Sequence, residues 1–514
     1  MKRLTDYISY EEVTKAFKWD MLWDLFDGNK EKLNITHECL DRHGDKGTAV
    51  RLKFADGHTE KYTFKELSEW TSRFANFLEN RGVQAGDRVC VMLEPSLAYY
   101  TCVFGAVKRG AIAVPLFTLF GPEALAQRIN DCQPKLLVLD PQKAYLANTF
   151  EDLDVFVSGP EFLEEINRHG AAYQADTKAK DLAIFQYTSG TTREFPEAIK
   201  HTHRSVVTLA LAALFGLGLR EGDRYFCPSS PAWGHGMWHG TISPWSLGIS
   251  AGHYAGKFDS RRVLEALEEF GITNFAAAAT VYRMLIKSGL MDKYKYNIQK
   301  LSFSGESLDS ASEDFLMNKF GVPVSSMYGT TETGVIIASY PGFEDFPVKR
   351  GALGKPVPGW KVAIINGKGK ELSPGTLGEI AVERRGEWFY TKDAGFMDED
   401  GYFRHKGRSD DVIISAGWTI SAVEVEDALL KHPDVEEVAV IGVPDDLRGY
   451  IVKAVLVGRR KGRDFEEELQ EFIKAGLSAH EYPRAIEIVE ELPKTPAGKV
   501  NRKALREVYA NRKQ

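Results

Sequence analysis

Ile184-Phe-Gln-Tyr-Thr-Ser-Gly-Thr-Thr-Arg-Glu-Phe-Pro-Glu-Ala-Ile-Lys200, followed by His201-Thr-His-Arg204, is the stretch on which the reading of this chain turns. Its lead-in, Leu182 to Phe185, is apolar and reads as the end of a buried strand. The strand empties into a loop with four hydroxyls, Thr188, Ser189, Thr191 and Thr192, around Gly190. Hydroxyl donors and close-packed backbone N–H groups form the kind of concave nest that binds a polyphosphate. The same letters also suit a polar turn between two elements. Two further segments favour the phosphate reading: a second hydroxyl-rich loop, Tyr328-Gly-Thr-Thr-Glu-Thr-Gly334, and Pro493-Lys-Thr-Pro-Ala-Gly-Lys499 near the end of the sequence.

In this order the three segments resemble the adenylate-forming superfamily: AMP-forming acyl-CoA synthetases, aryl-CoA ligases, luciferases and peptide-synthetase adenylation domains. The likeness runs over nearly the whole chain, and the combination is specific although each loop alone is not. The first loop departs from the family's Thr-Ser-Gly-Thr-Thr-Gly-x-Pro-Lys-Gly. Arg193 replaces the Gly, one residue is inserted, and Glu197-Ala198 follow Pro196 where Lys-Gly is usual. A phosphate-neutralising lysine is therefore missing, and Arg193 or Lys200 is the available substitute.

Bulk properties exclude several classes. A chain of 514 residues exceeds one ordinary core, so two or more domains are expected. A net charge of −7 and a pI near 6.0 argue against nucleic acid as a main partner. The five cysteines are scattered and odd in number, which favours buried reduced thiols in a cytoplasmic protein over disulfides or a metal site. No secretory signal is visible, and no apolar run approaches the ~20 residues that a membrane span needs.

Residues 1–45 read as a peripheral segment clamped by Phe17, Trp19, Trp23 and Phe26. Arg51–Thr63 reads as a hairpin turned at Asp56-Gly57, and Thr63-Phe-Lys-Glu66 as a capping box opening a helix through Leu78. Strands at Arg88–Met92, Ala113–Leu116 and Lys135–Leu139 alternate with helices at Ala98–Arg109 and Pro122–Cys132, which argues a doubly wound α/β layer with a parallel sheet. Ser205–Leu217 reads as a helix and Asn274–Val281 as a strand of very small side chains. Such a strand admits either a neighbouring backbone or a ligand. From Gly354 the texture turns to short strands and tight turns, a small β-barrel-like subdomain. A further α+β region follows, with strands at Val435–Val443, Ile451–Val457 and Ala485–Val489 and helices at Glu424–Leu430 and Asp464–Leu477. The expected fold is α/β. A large N-terminal domain of doubly wound sheets (1–409, with the β subdomain at about 345–409) precedes a small mobile α+β domain (410–514).

The resemblance assigns roles residue by residue. Thr188, Ser189, Gly190, Thr191 and Thr192 would cradle phosphate; Gly305, Glu306 and Ser307, where the family has Gly-Glu-Pro, would lie along adenine. Tyr328 would stack on the base, with Gly329 and Thr330 beside it. Thr331 would hold an α-phosphate oxygen, and Glu332 would supply a hard carboxylate to Mg²⁺. Asp393 would accept from both ribose hydroxyls, since both its oxygens accept, and Arg408 would reach the nucleotide. Asp410 matches the swivel point of the last domain, and Gly417 leaves room for a pantetheine arm. Lys499 would bridge carboxylate and α-phosphate during adenylate formation. In Pro231-Ala-Trp-Gly-His-Gly-Met-Trp-His239, two Trp and two His among glycines suit a pocket wall, and His235 best matches the family residue facing the acid. On their own, Asp393 reads as a turn residue, Glu332 and Lys499 as surface charges, and Trp233 and Trp238 as aromatics closing a core.

The implied activity is an AMP-forming acyl-CoA synthetase using ATP, Mg²⁺ and coenzyme A, with a small carboxylic acid as substrate and a homo-oligomer as an admissible assembly. Family members specific for acetate carry Trp where this chain has Gly329. Gly329 and Ala276–Ala279 therefore point to a medium-chain, branched or aromatic acid. The rival readings are an adenylating ligase that loads a carrier protein, and a catalytically weak nucleotide-binding protein, which the Glu197 substitution favours.

Overall fold

The computed structural model describes residues 2–150, 153–187, 198–330, 332–409, 413–415, 418–445, 449–476, 482–494 and 500–510. The chain divides into two compact units. One comprises Met1–Gly305, Phe320–Pro347 and Val357–Gly359; the other comprises Glu306–Lys319, Val348–Pro356 and Trp360–Gln514.

The first unit is built on two sheets. One runs in the order Asp154–Val157, Leu136–Leu139, Arg88–Met92, Ile112–Pro115, Leu182–Gln186, Ile199–Thr202, parallel except for the last pair. The other places Val324–Thr330, Lys300–Ser304, Asn274–Ala278, Tyr225–Phe226, Ala251–Ala255 and Thr48–Phe54 side by side in parallel. Antiparallel strands flank them: Gly334–Ala338 on one side and Thr59–Thr63 on the other. Parallel strands must be covered on both faces, and the helix Leu97–Arg109 shows the result: ten of its first eleven positions are aromatic, aliphatic or small, and it is buried nearly all round. Tyr100 on this helix meets Trp245 and His253 of the second sheet's side, with ring centroids 5.1 and 5.9 Å apart.

Local signals in the sequence explain most boundaries. The hairpin forms with Gly57 at φ +99°, a conformation that suits glycine. Thr63 and Glu66 make the reciprocal capping box, and the helix runs Phe64–Asn80. Helix Pro122–Cys132 starts on its proline as expected. Two elements differ from expectation. Ser205–Leu211 is α-helical, but Ala212–Gly216 widens to a π turn. The alanine-rich strand stops at Ala278, and Ala279–Lys287 is a helix. Tyr282 explains the switch: its buried hydroxyl donates to Ser302 O at 2.8 Å, so the neighbouring interior strand anchors the helix.

In the N-terminal segment Phe26 is buried, whereas Trp19 is 42% exposed and rests edge-on against Phe17. All five cysteines are free and buried.

The second unit contains a four-stranded antiparallel meander, Val362–Ile365, Gly378–Arg384, Glu387–Met397 and Phe403–Arg408. It also contains a sheet of Trp418–Ile420, Ile413–Ser415, Gly449–Gly458, Val435–Asp445 and Ala485–Ile488, packed on helices Ala422–Leu429 and Arg463–Gly476. Among the described residues no helix is long and apolar enough to cross a membrane.

Candidate active site

In open α/β sheets, ligands gather at the carboxyl ends of the strands. In the first unit those ends bring the expected residues together. Register pairs Ala278 with Ser304 and Phe303 with Ser326, so Ala278, Gly305 and Tyr328 finish three adjacent parallel strands. Gly305 turns the chain at φ +90°.

Tyr328, Gly329 and Thr330 are still in strand, paired back onto Gly334–Ile337. Thr333 Oγ1 accepts from Thr330 N–H at 3.1 Å, and Thr333 N–H donates to Thr330 O at 3.2 Å. This tight hairpin end carries Tyr328 half-buried and Glu332 exposed. The role assumed for Gly329 needs correction. A Cβ there would lie 1.9 Å from Gly334 O and 2.9 Å from Val335 Cα, so glycine is required by backbone approach across the hairpin. The absence of a side chain at Gly329 therefore says nothing about pocket depth.

Beside these ends, the segment after Tyr225–Phe226 builds a wall. Gly236 and Gly240 lie against the Ser229 and Ser230 carbonyls and the Cys227 thiol, where a Cβ would be crowded. Between and around them His235–Ile242 winds as a π-helix, a form that concentrates at functional sites. The half-buried His235 ring has Nδ1 2.9 Å from Ser229 Oγ and 3.6 Å from Cys227 Sγ. Trp238 is buried, and its Nε1 donates to Gln186 Oε1 at 2.8 Å, while Gln186 Nε2 donates to Ala232 O. His201 packs tilted against Trp238, with ring centroids 4.5 Å apart. Trp238 is thus both a core closure and a tie between the wall and the strand that enters the first hydroxyl loop. Burial pushes the His201 and His239 imidazoles down to about 4 and about 3, so both are neutral near pH 7.

Tyr187, the last described residue before that loop, is anchored from outside it. Its hydroxyl donates to Asp131 Oδ2 at 2.6 Å, and burial, followed by this bond, raises its pKa far above the usual phenol range. Lys200, a candidate phosphate cation, is exposed with its ammonium 5.4 Å above the Phe185 ring.

The second unit assembles a separate group. Asp393 is buried on Glu387–Met397, directly opposite Arg408, whose Nη1 donates to Asp393 Oδ1 at 3.1 Å. His405 lies between Asp393 and Ser307, with Nε2 3.6 Å from Asp393 Oδ1 and Nδ1 3.3 Å from Ser307 Oγ. Glu306 and Ser307 belong to this unit, whereas Gly305 belongs to the first. Thr188, Ser189, Gly190, Thr191, Thr192, Thr331, Asp410, Gly417 and Lys499 lie outside the described residues, as does Arg193.

Gln186, His201, His239 and His405 were not singled out from sequence. Gln186 had a signal: an amide ending an otherwise apolar strand needs buried partners. His405 had none, since strand parity sets it on the opposite face from Arg408, and only the register shift between Ala394 and Gly395 brings it to the side of Asp393.

Among the described residues no group of three or more metal-ligating side chains occurs. One exposed carboxylate, Glu332, suits Mg²⁺, which keeps most of its waters and is shared with substrate phosphates.

With this geometry the comparisons with known proteins agree. The model for "AMP-binding enzyme" matches residues 37–387, and that for "AMP-binding enzyme C-terminal domain" matches 424–499. The acetyl-coenzyme A synthetase of Bacillus subtilis (strain 168) is 33% identical over 97% of this chain and 94% of its own length. The mitochondrial acyl-coenzyme A synthetase ACSM3 of Rattus norvegicus is 32% identical over 98% and 93%. The crystal structure of Brucella canis acyl-CoA synthetase superposes with a TM-score of 0.76 at 30% identity, covering 99% of this chain and all of that one. The chain belongs to the AMP-binding enzymes of the adenylate-forming superfamily. Within them it is an ATP-dependent, AMP-forming acyl-CoA ligase that uses ATP, Mg²⁺ and coenzyme A.

Proposed function

We propose that the acid activated is medium-chain, branched or aromatic, and that Asp393 and Arg408 take the ribose, Tyr328 the adenine and His235 the acid. The observation that carries the acid class is the wall itself. Alanines end the strand Asn274–Ala278 next to the segment from Cys227 to His239, and small side chains beside the two indoles of that segment favour an acid longer than acetate.

A carboxylate must be activated before a thiol can displace its oxygen. Its oxygen attacks the α-phosphorus of ATP, the bond to the β-phosphate bridging oxygen breaks, and pyrophosphate leaves. Glu332 would hold Mg²⁺, which would supply charge neutralisation to the phosphates. Thr331 and Lys499 are assigned to the α-phosphate, where fixed donors lower the cost of developing charge. In the second step the CoA thiol attacks the acyl carbon past Gly417, and AMP departs with the electron pair. The swap of Lys499 for Gly417 assigns a hinge to Asp410, with domains at 1–409 and 410–514. Free buried thiols throughout the chain support a reducing compartment, the cytoplasm.

The test is carboxylate-dependent ATP–pyrophosphate exchange over an acid panel, followed by thioester formation on CoA. Acetate as the best acid would overturn the acid class. Full-rate exchange by Lys499→Ala would overturn the assignment of the terminal lysine.

A further inference from the structure

Behind His235 the interior of the first unit is polar rather than greasy. Cys227 Sγ, 3.6 Å from His235 Nδ1, is its centre. The next parallel strand places His253 alongside, since Cys227 N–H donates to Gly252 O at 3.1 Å. Neither nitrogen of His253 has a hydrogen-bond partner among the described residues, although the residue is 1% exposed. The hydroxyl of the fully buried Tyr100 is equally unmatched, as is His239 Nδ1, and the hydroxyl of the fully buried Tyr225 meets only the Cys227 thiol. Tyr100 and His253 are neighbours at 5.9 Å between ring centroids, His235 and His239 at 5.8 Å, and the Tyr225 hydroxyl lies beside the Cys227 thiol.

Buried polar groups are nearly always matched, because an unmatched one forfeits its hydration. Here four such atoms on three side chains, His253, Tyr100 and His239, share one neighbourhood, next to the ring assigned to the acid. An alkyl tail would leave all of them unmatched. A hydroxyl or amide both donates and accepts, and would answer them in pairs. A second carboxylate would not suit: burial holds His239 and His253 neutral, down at about 3 and about 4, and keeps the Cys227 thiol protonated, up at about 11. None of these groups offers a positive charge to offset desolvation.

We infer that the acid taken by this ligase carries an uncharged hydrogen-bonding group, a hydroxyl or amide, at the end remote from its carboxylate, received by His239, His253, Tyr100 and Tyr225 around Cys227. This rests on the reading of His235 as facing the acid.

The experiment is ATP–pyrophosphate exchange with matched acids: butanoate, 4-hydroxybutanoate and succinate; hexanoate and 6-hydroxyhexanoate; benzoate and 4-hydroxybenzoate. In at least one series the hydroxy acid should exceed its parent in kcat/KM by tenfold or more, with succinate the poorest of its set. Tyr100→Phe, which removes only an unmatched oxygen, and Tyr225→Phe, which also gives up the contact with the Cys227 thiol, should erase that advantage while leaving the parent acid unchanged or better. Parents preferred throughout, or variants that leave the hydroxy-acid advantage intact, would overturn the inference and leave the ligase reading standing. Exchange with no acid of the panel would overturn the acid-class proposal as well. A variant that slows both acids equally marks a packing role and also counts against the inference; urea denaturation of each variant identifies loss of fold.

Discussion

The indole Nε1 of Trp238 donates to Gln186 Oε1 at 2.8 Å, and with the Gln186 Nε2 bond to Ala232 O it joins the wall proposed to face the acid to the strand that enters the first hydroxyl loop. Both partners are buried, so removing one strands the other. Gln186→Ala should cost about 1–3 kcal/mol of stability, the usual penalty for an unmatched buried donor. It should also raise the KM for the acid, because Trp238 loses its tether. Urea denaturation and exchange kinetics measure the two effects. An unchanged denaturation midpoint would show that the bond contributes nothing.

Gly329 sits where a Cβ would be 1.9 Å from Gly334 O, closer than any side chain tolerates. Gly329→Ala should therefore slow exchange with every acid by about tenfold or more, the cost of ~1–3 kcal/mol that overpacking commonly exacts. Gly329→Trp should behave alike or worse rather than yield an acetate-specific enzyme. Exchange rates across the acid series provide the check. An active Trp variant shifted toward acetate would restore the pocket role that the sequence suggested.

The contrast between these two sites shows what sequence could and could not give. The period and capping of Phe64–Asn80, the proline start at Pro122 and the apolar run at Arg88–Met92 are local signals, and each element formed close to where they placed it. The order of the hydroxyl loops was legible for the same reason: motifs are contiguous. The cause of Gly329 lay five residues away across a hairpin, and that of the Ala279 helix lay in a hydroxyl bond to another strand. The interior about Cys227 gathers residues from positions 100 to 253, a grouping made by the parallel register of two strands and by the helix that brings Tyr100 against them.

Asp393 is paired across the strand with Arg408, which fixes the carboxylate in one orientation. If it takes the ribose hydroxyls, Asp393→Ala should raise the KM for ATP by about 10–100-fold, the worth of charge-assisted bonds of ~1.5–3 kcal/mol. The KM for the acid should move far less. Steady-state kinetics with each substrate varied in turn decides this; equal changes in both would point to a folding defect.

Burial pushes the imidazoles of His43, His201, His203 and His253 down to about 4. Their unfolded value is higher, near 6.5, so the unfolded chain binds protons first as pH falls. The stability they confer is full above pH 6.5 and is lost toward pH 4, at about 2 kcal/mol per group by pH 5. Unfolding midpoints in urea should therefore drop steeply between pH 7 and 5. His203, whose Nδ1 accepts from Ile35 N–H, offers a single-site check: His203→Gln should flatten the slope.

Glu313 has the opposite sign. It is 5% exposed, and burial raises its carboxyl to about 7 against the Gly351 N–H that it accepts and the charge of Arg350; Asp314 and Asp427 push in the same direction as burial. The folded state thus holds a proton that the unfolded chain releases near 4.5, and stability falls as pH rises from there through 7. At pH 8 the ionised, buried carboxylate costs up to about 3 kcal/mol. Glu313→Gln keeps an oxygen for Gly351 and cannot ionise. It should raise the urea midpoint at pH 8 and leave it nearly unchanged at pH 4.5, where the acid limb belongs to the histidines. A variant less stable than the parent at pH 8 would mean that Arg350 offsets the burial of the charge in full.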